Sequence, residues 1–98
     1  MSATDSYIAS NISAPTAAFP LKGGRYVLTA VATFGGGNVQ VQILAADGST
    51  WVAPKDIGGS ANNLTAAGSQ TIDLPACRAR INVVTATAVY AAVARVLD

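Results

Sequence analysis

The chain is divided into short runs in which apolar and polar residues alternate, and each run ends at a cluster of turn-forming residues. The clearest run, residues 25–34, alternates with the period of 2 that places side chains on the two faces of a strand. The clusters at residues 35–37 (Gly-Gly-Gly) and 47–48 (Asp-Gly) tolerate the backbone angles of tight turns. About seven or eight such runs predict an all-β fold, an antiparallel β-sandwich or small jelly roll.

Two segments fit this pattern less well. Residues 1–16 are rich in Ser, Ala, Thr and Asn and have no clear period, so we expect an extended N-terminal arm before a β-sandwich domain of residues 17–98. Residues 87–97 contain valines at helical spacing, but also the β-branched and aromatic residues typical of strands. We predict a strand with Tyr90 facing the core, and a helix stays open as the alternative.

The low charge of the chain limits the partners it can have. Charged residues make up 11% of the 98 residues and the net charge is +1, against about 25% charged residues in an average soluble domain. The basic residues form no run of the kind that binds nucleic acid, so we expect no nucleic-acid partner. No segment is long and apolar enough for a membrane span or a signal peptide, and we expect synthesis in a cytoplasm.

The sequence also offers little for catalysis. It has no His and no Glu, and it has one Cys, Cys77. Nucleophilic catalysis needs a base beside the nucleophile, and the scattered Asp residues show no metal-ligand spacing. We therefore expect a protein that is not an enzyme and that needs no metal or cofactor.

One predicted surface is a homo-oligomer interface on two strands. Apolar side chains on the outward phase of a strand need cover, either from a second subunit or from the domain's own arm and loops. The predicted interface residues are Val27, Val31, Val89 and Val93.

A second predicted surface is the arm, which is either a frayed terminus or a segment that orders on a neighbour. In the second case its apolar residues are docking anchors, and these are Tyr7, Ile8 and Ile12. Aromatic residues also leave a sugar-binding face open as a hypothesis, through Trp51, Tyr26 and Tyr90, although the strand phase places Tyr26 and Tyr90 in the core.

Three stretches together resemble small virion proteins of tailed bacteriophages. They are a Gly-Gly-x-Tyr strand at residues 23–28, a Gln-x-Leu-x-x-Asp-Gly-x-x-Trp hairpin within residues 39–51, and a Leu-Pro-Ala-x-x-x-Arg corner at residues 74–80. The resemblance covers about residues 23–97. Cys77 stands where that corner usually has Gly.

The resemblance implies a capsid decoration, or cement, protein. Such a protein is β-rich, binds the outer surface of the head as a homo-oligomer, contacts the major capsid protein and stabilises the head against internal DNA pressure. It implies a location on the virion after synthesis in the host cytoplasm. Two alternatives stay open: a phage tail or fibre component, and a carbohydrate-binding β-sandwich module.

Overall fold

The computed structural model describes residues 6–96, which form eight strands and no helix. In chain order the strands are β1 (Ser6–Ile12), β2 (Phe19–Leu21), β3 (Gly24–Thr33), β4 (Asn38–Leu44), β5 (Trp51–Val52), β6 (Gly68–Leu74), β7 (Cys77–Val84) and β8 (Thr87–Arg95).

The strands form two four-stranded antiparallel sheets that pack against each other. The first sheet has the order β1-β8-β3-β6 and the second has the order β2-β7-β4-β5. Within them β1 pairs with β8, β2 with β7, β3 with β6, and β4 with β5. This is the pairing of one long two-stranded ribbon folded over on itself, with its tip at the β4–β5 hairpin. The predicted all-β architecture of two packed sheets is confirmed.

The core lies between the sheets and is built from the alternating residues of the predicted runs. On β3, Tyr26 and Leu28 are fully buried, as are Val39 and Val41 on β4 and Ile81 on β7. Burying the Tyr26 ring is compatible with its hydroxyl because that group donates a hydrogen bond to the Lys22 carbonyl oxygen, at 2.6 Å. The predicted placement of Tyr26 in the core is confirmed.

The predicted phase of β8 is wrong, although its prediction as a strand is confirmed. Val89 and Val93 are fully buried, whereas Tyr90 is 55% exposed. The register between β3 and β8 explains the error. Three residues of β3, 31–33, lie opposite four residues of β8, 87–90. The fourth residue makes a β-bulge in β8, in which Ala88 has φ 51°. Because Ala rarely adopts positive φ, the sequence gives no signal for this bulge.

The expected N-terminal arm is also corrected over residues 6–12, which form edge strand β1 on β8. Tyr7 and Ala9 face inward, and Ala9 is buried. The sequence of β1 shows no clear alternation because Asn11, with φ 53°, lies in a second bulge. This bulge shifts the register with β8 before Ile12. The following connection is fixed as well, since the Thr16 amide donates to the Ile81 carbonyl oxygen. Residues 1–5 of the expected arm, and residues 97–98 of the expected domain, lie outside the described residues.

One end of the sandwich is held by close contact between two turns. The Ala86 amide donates to the Val84 carbonyl oxygen across Thr85, which has φ 65°. This tight turn between β7 and β8 packs on Gly37, where an added Cβ would lie 1.8 Å from the Val84 oxygen. Only Gly allows this approach, so Gly37 fixes how the β3–β4 turn meets the β7–β8 turn.

Candidate interaction surface

The outer surface of the first sheet carries a group of residues without charge. Because Ile8 pairs with Ala92, Ala92 with Thr29, and Tyr90 with Val31, these side chains lie side by side across three strands. We call this surface the uncharged face, and its residues are Ile8, Val27, Thr29, Val31, Tyr90 and Ala92.

The uncharged face exposes large apolar groups next to one another. Ile8 is 72% exposed, Val31 61% and Tyr90 55%. Between Ile8 and Tyr90 lies a shallow open depression, which is lined by both residues and by Thr29 and Ala92. Adjacent exposed apolar groups of this kind mark surfaces that contact another macromolecule, whereas single exposed apolar residues are common on any protein.

The predicted oligomer-interface residues are divided between this surface and the core. Val27 and Val31 point outward as predicted, with Val27 half-buried. Val89 and Val93 point inward from β8 and have no exposed surface. The place expected for Val89 and Val93 on β8 is taken by Tyr90 and Ala92, because the bulge at Ala88 reverses the phase of the strand.

The predicted docking anchors are divided in the same way. Tyr7 stacks on Phe19 of the opposite sheet, with ring centroids 3.9 Å apart and planes at 3°. Ile12 packs against the core cluster and is half-buried. Both residues hold β1 in place. Ile8 alone of the three lies on the uncharged face, beside Tyr90.

The outer surface of the second sheet carries a row of hydrogen-bonded polar side chains, with exposed Val84 at one end. Arg80 Nε donates to Gln42 Oε1 at 2.8 Å, and Gln42 Nε2 donates to Gln40 Oε1 at 2.8 Å. The Arg80 guanidinium also lies over the Trp51 ring, 4.6 Å from its centroid. Trp51 is half-buried, and Tyr90 lies on the other sheet, so the two aromatic rings do not form a common platform.

The carboxylates considered as cation ligands each have protein partners. Asp47 accepts hydrogen bonds from the Thr50 hydroxyl and from the Ser49 and Thr50 amides, and these bonds lower its pKa from 3.8 to about 2. Asp73 pairs with Arg25 at 2.9 Å, and the hydrogen bond from Arg25 lowers the pKa of Asp73. Residues 6–96 contain no cluster of three or more potential metal-binding side chains.

Asp56 organises the loop between β5 and β6. Its Oδ1 atom accepts the Gly58 and Ser60 amides, each at 2.9 Å, and its Oδ2 atom accepts Gln70 Nε2 at 3.3 Å. Gln70 in turn donates to the Ala61 carbonyl oxygen, at 2.8 Å. These bonds hold the loop against β6, so the carboxylate of Asp56 has a structural role.

Cys77 lies at the start of β7, half-buried against the core and without a disulfide partner among the described residues. Burial raises the pKa of its thiol, which keeps the less reactive protonated form.

Comparisons with protein-family models, with curated proteins and with solved structures each found no match. Within residues 6–96, no helix has the length and hydropathy that a membrane crossing requires.

Proposed function

We propose that the protein is a structural component of a tailed-bacteriophage virion, a capsid decoration protein that binds the outer surface of the head as a homo-oligomer. In this proposal it contacts the major capsid protein, acts without enzymatic activity or a cofactor, and is made in the host cytoplasm before it joins the virion. The sequence resemblance over residues 23–97 supports the class of protein, and the uncharged face supports the choice of contact surface.

The proposal includes the finer architecture of a jelly roll. Support comes from the strand order, β1-β8-β3-β6 against β2-β7-β4-β5, because this is what results when a ribbon of four strand pairs wraps around a core. Jelly rolls of eight strands recur in viral capsid proteins and in lectins. The architecture therefore agrees with a virion protein without excluding the carbohydrate-binding alternative.

The observation that carries the proposal is the uncharged face itself. It is a sheet surface rather than a cleft, and apolar, hydroxyl-bearing and small side chains meet on it. Val27, Thr29 and Val31 lie on the inner strand β3, Tyr90 lies on the inner strand β8, and Ile8 lies on the edge strand β1. Charged residues are depleted at the centres of protein–protein interfaces, where aromatic residues are enriched. A broad surface of this type fits a protein shell better than it fits a small ligand.

The sugar-binding alternative has weaker support. A sugar-binding face usually presents aromatic rings that are free to stack. The Arg80 guanidinium, however, lies over one face of the Trp51 ring. Tyr90 is exposed, but within residues 6–96 it is the single aromatic ring lining its depression, where the polar side chains are the hydroxyls of Ser10 and Thr29. No feature of the described residues favours a tail or fibre location over a head location.

The proposal is tested with virions made with and without the gene for this chain. Negative-stain images of the two preparations should differ at the head surface, and purified protein should restore the missing density when it is added back. Heads without the protein should release DNA at a lower temperature. Identical heads in both preparations, or added protein that binds tails only, would refute a decoration role.

A further inference from the structure

Three of the four sheet edges carry features that prevent pairing with another strand. β2 has Pro20 at its centre, and Pro cannot donate to a neighbouring strand. β6 is covered by the loop before it, where the Ile57 amide donates to the Thr71 carbonyl oxygen at 3.1 Å. β5 has only two residues, and beyond it the edge of β4 is paired with Leu64 and with the Asn62 side chain.

β1 is the edge without such protection. Its sequence, Ser-Tyr-Ile-Ala-Ser-Asn-Ile, contains no Pro, no Gly and no charged residue. Among the described residues, β8 is the only strand that pairs with it. Its bulge lies at Asn11, so residues 6–9 keep regular register with β8. Natural proteins usually place Lys, Pro or a covering loop at an edge of this length, because its unpaired backbone groups attract another strand.

We propose that β1 pairs with β1 of a second copy of this chain, antiparallel and about a twofold axis. A second copy is the occupant that the sequence fits, because a strand without charge meets its own copy with no like-charge repulsion and the chain carries a net charge of only +1. This proposal rests on the proposed function, since it names the contact that joins the subunits of the oligomer.

The pairing also has a consequence for the uncharged face. A twofold axis perpendicular to the sheet leaves the outer surfaces of both copies on the same side. The two first sheets then become one eight-stranded sheet, and the uncharged faces become one surface with the two Ile8 side chains near its centre. A dimer of this form presents twice the contact area of one subunit to a flat partner.

A charge-complementation experiment tests the pairing. Ser6 and Ser10 are exposed on β1, so both can carry charge. One double variant is Ser6→Lys with Ser10→Lys, and the other is Ser6→Glu with Ser10→Glu. The control is Ser69→Lys on β6, which places one positive charge on the opposite edge of the same sheet. Circular dichroism establishes that each variant keeps its β-sheet spectrum.

Analytical ultracentrifugation of the wild-type chain should show a species of twice its 9.8 kDa mass. Like charges facing each other should weaken self-association of each double variant at least about tenfold. An equimolar mixture of the two variants should restore the dimer, and Ser69→Lys should match the wild type.

The proposal is overturned if the wild type is a monomer or if the double variants dimerise normally. It is also overturned if the mixture stays monomeric or if Ser69→Lys weakens self-association as much as the double variants do. A monomer that still binds heads would refute the edge pairing and the homo-oligomeric state, and would leave the head-binding role of the proposed function standing.

Discussion

At the scale of single residues, the turn after β4 depends on the carboxylate of Asp47. Hydrogen bonds from Thr50 and Ser49 stabilise the charged form and lower its pKa from 3.8 to about 2. Because the pKa is lower in the folded state, this contribution to stability is present above about pH 4 and is lost as the pH falls through about 2. Asp47→Asn should therefore reduce the fall in melting temperature between about pH 5 and about pH 2.

Thr50→Val provides the matched variant, because it removes the hydroxyl that is the largest cause of the shift and keeps the two amide bonds. The melting temperature of Thr50→Val should fall less between about pH 5 and about pH 2 than that of the wild type, and more than that of Asp47→Asn. Acid melting curves in which all three proteins lose the same stability would show that Asp47 does not contribute in this way.

Gly37 is the second residue-scale case, because its backbone touches the β7–β8 turn. In Gly37→Ala the added methyl group would lie 1.8 Å from the Val84 oxygen and 2.8 Å from the Ala86 nitrogen. The two turns would have to separate, and we expect a loss of about 3 kcal/mol in the free energy of unfolding, measured in urea. Gly58→Ala is the control, since its new methyl group would make one contact of 3.4 Å and should change stability by less than about 1 kcal/mol. Equal stability of the two variants would contradict the close turn contact.

At the scale of elements, the outer edge of β4 depends on a side chain that acts in place of a strand. The amide group of buried Asn62 donates to the Val41 carbonyl oxygen at 2.6 Å and accepts the Val41 amide at 3.3 Å. Asn62→Ala leaves both backbone groups buried without partners, and each such group costs about 1–3 kcal/mol. We expect a loss of about 2–4 kcal/mol in urea unfolding. The neighbouring Asn63→Ala is the control, because Asn63 is exposed. If Asn62→Ala is as stable as the wild type, water has replaced the Asn62 side chain as the hydrogen-bond partner of Val41.

The strands differ in how well the sequence predicts them. The strands with regular alternation, such as β3 and β4, and the turn at Asp47 were predictable because their period and turn chemistry are local properties. The phase of β8 was not, since it depends on a bulge at Ala88. The pairing of β1 was hidden by the bulge at Asn11 and by polar Ser6 and Ser10 at its outward positions.

The candidate surface was predictable to the same extent. Val27 and Val31 were assigned to it because β3 has a regular period. Tyr90 was missed, since a large aromatic residue on a strand of otherwise small side chains is usually a core residue. Ile8 was predicted as a contact residue, but on an arm instead of a strand. The sheet pairing then brings Ile8, Tyr90 and Val31 together, and no local pattern in the sequence contains that information.

At the scale of the whole molecule, the two sheets differ in what they present to the outside. The second sheet shows Arg80, Gln42 and Gln40 joined by hydrogen bonds, which is a surface suited to water. The first sheet shows the uncharged face, with the Arg25–Asp73 ion pair at one end of it. In the proposed assembly this difference orients the subunit, with the uncharged face toward the protein shell and the polar sheet toward solvent.

The central claim is that the uncharged face binds the head, and the most direct test is co-sedimentation of lysine variants with heads that lack the protein. Val31→Lys places a charge on strand β3 of that face, opposite Tyr90, whereas Val84→Lys places the same charge at an exposed position on the second sheet. Because a charge buried in an interface lacks a partner, Val31→Lys should weaken binding at least about tenfold while Val84→Lys binds like the wild type. If Val31→Lys binds with wild-type affinity, or if Val84→Lys is the variant that loses binding, the uncharged face is not the docking surface.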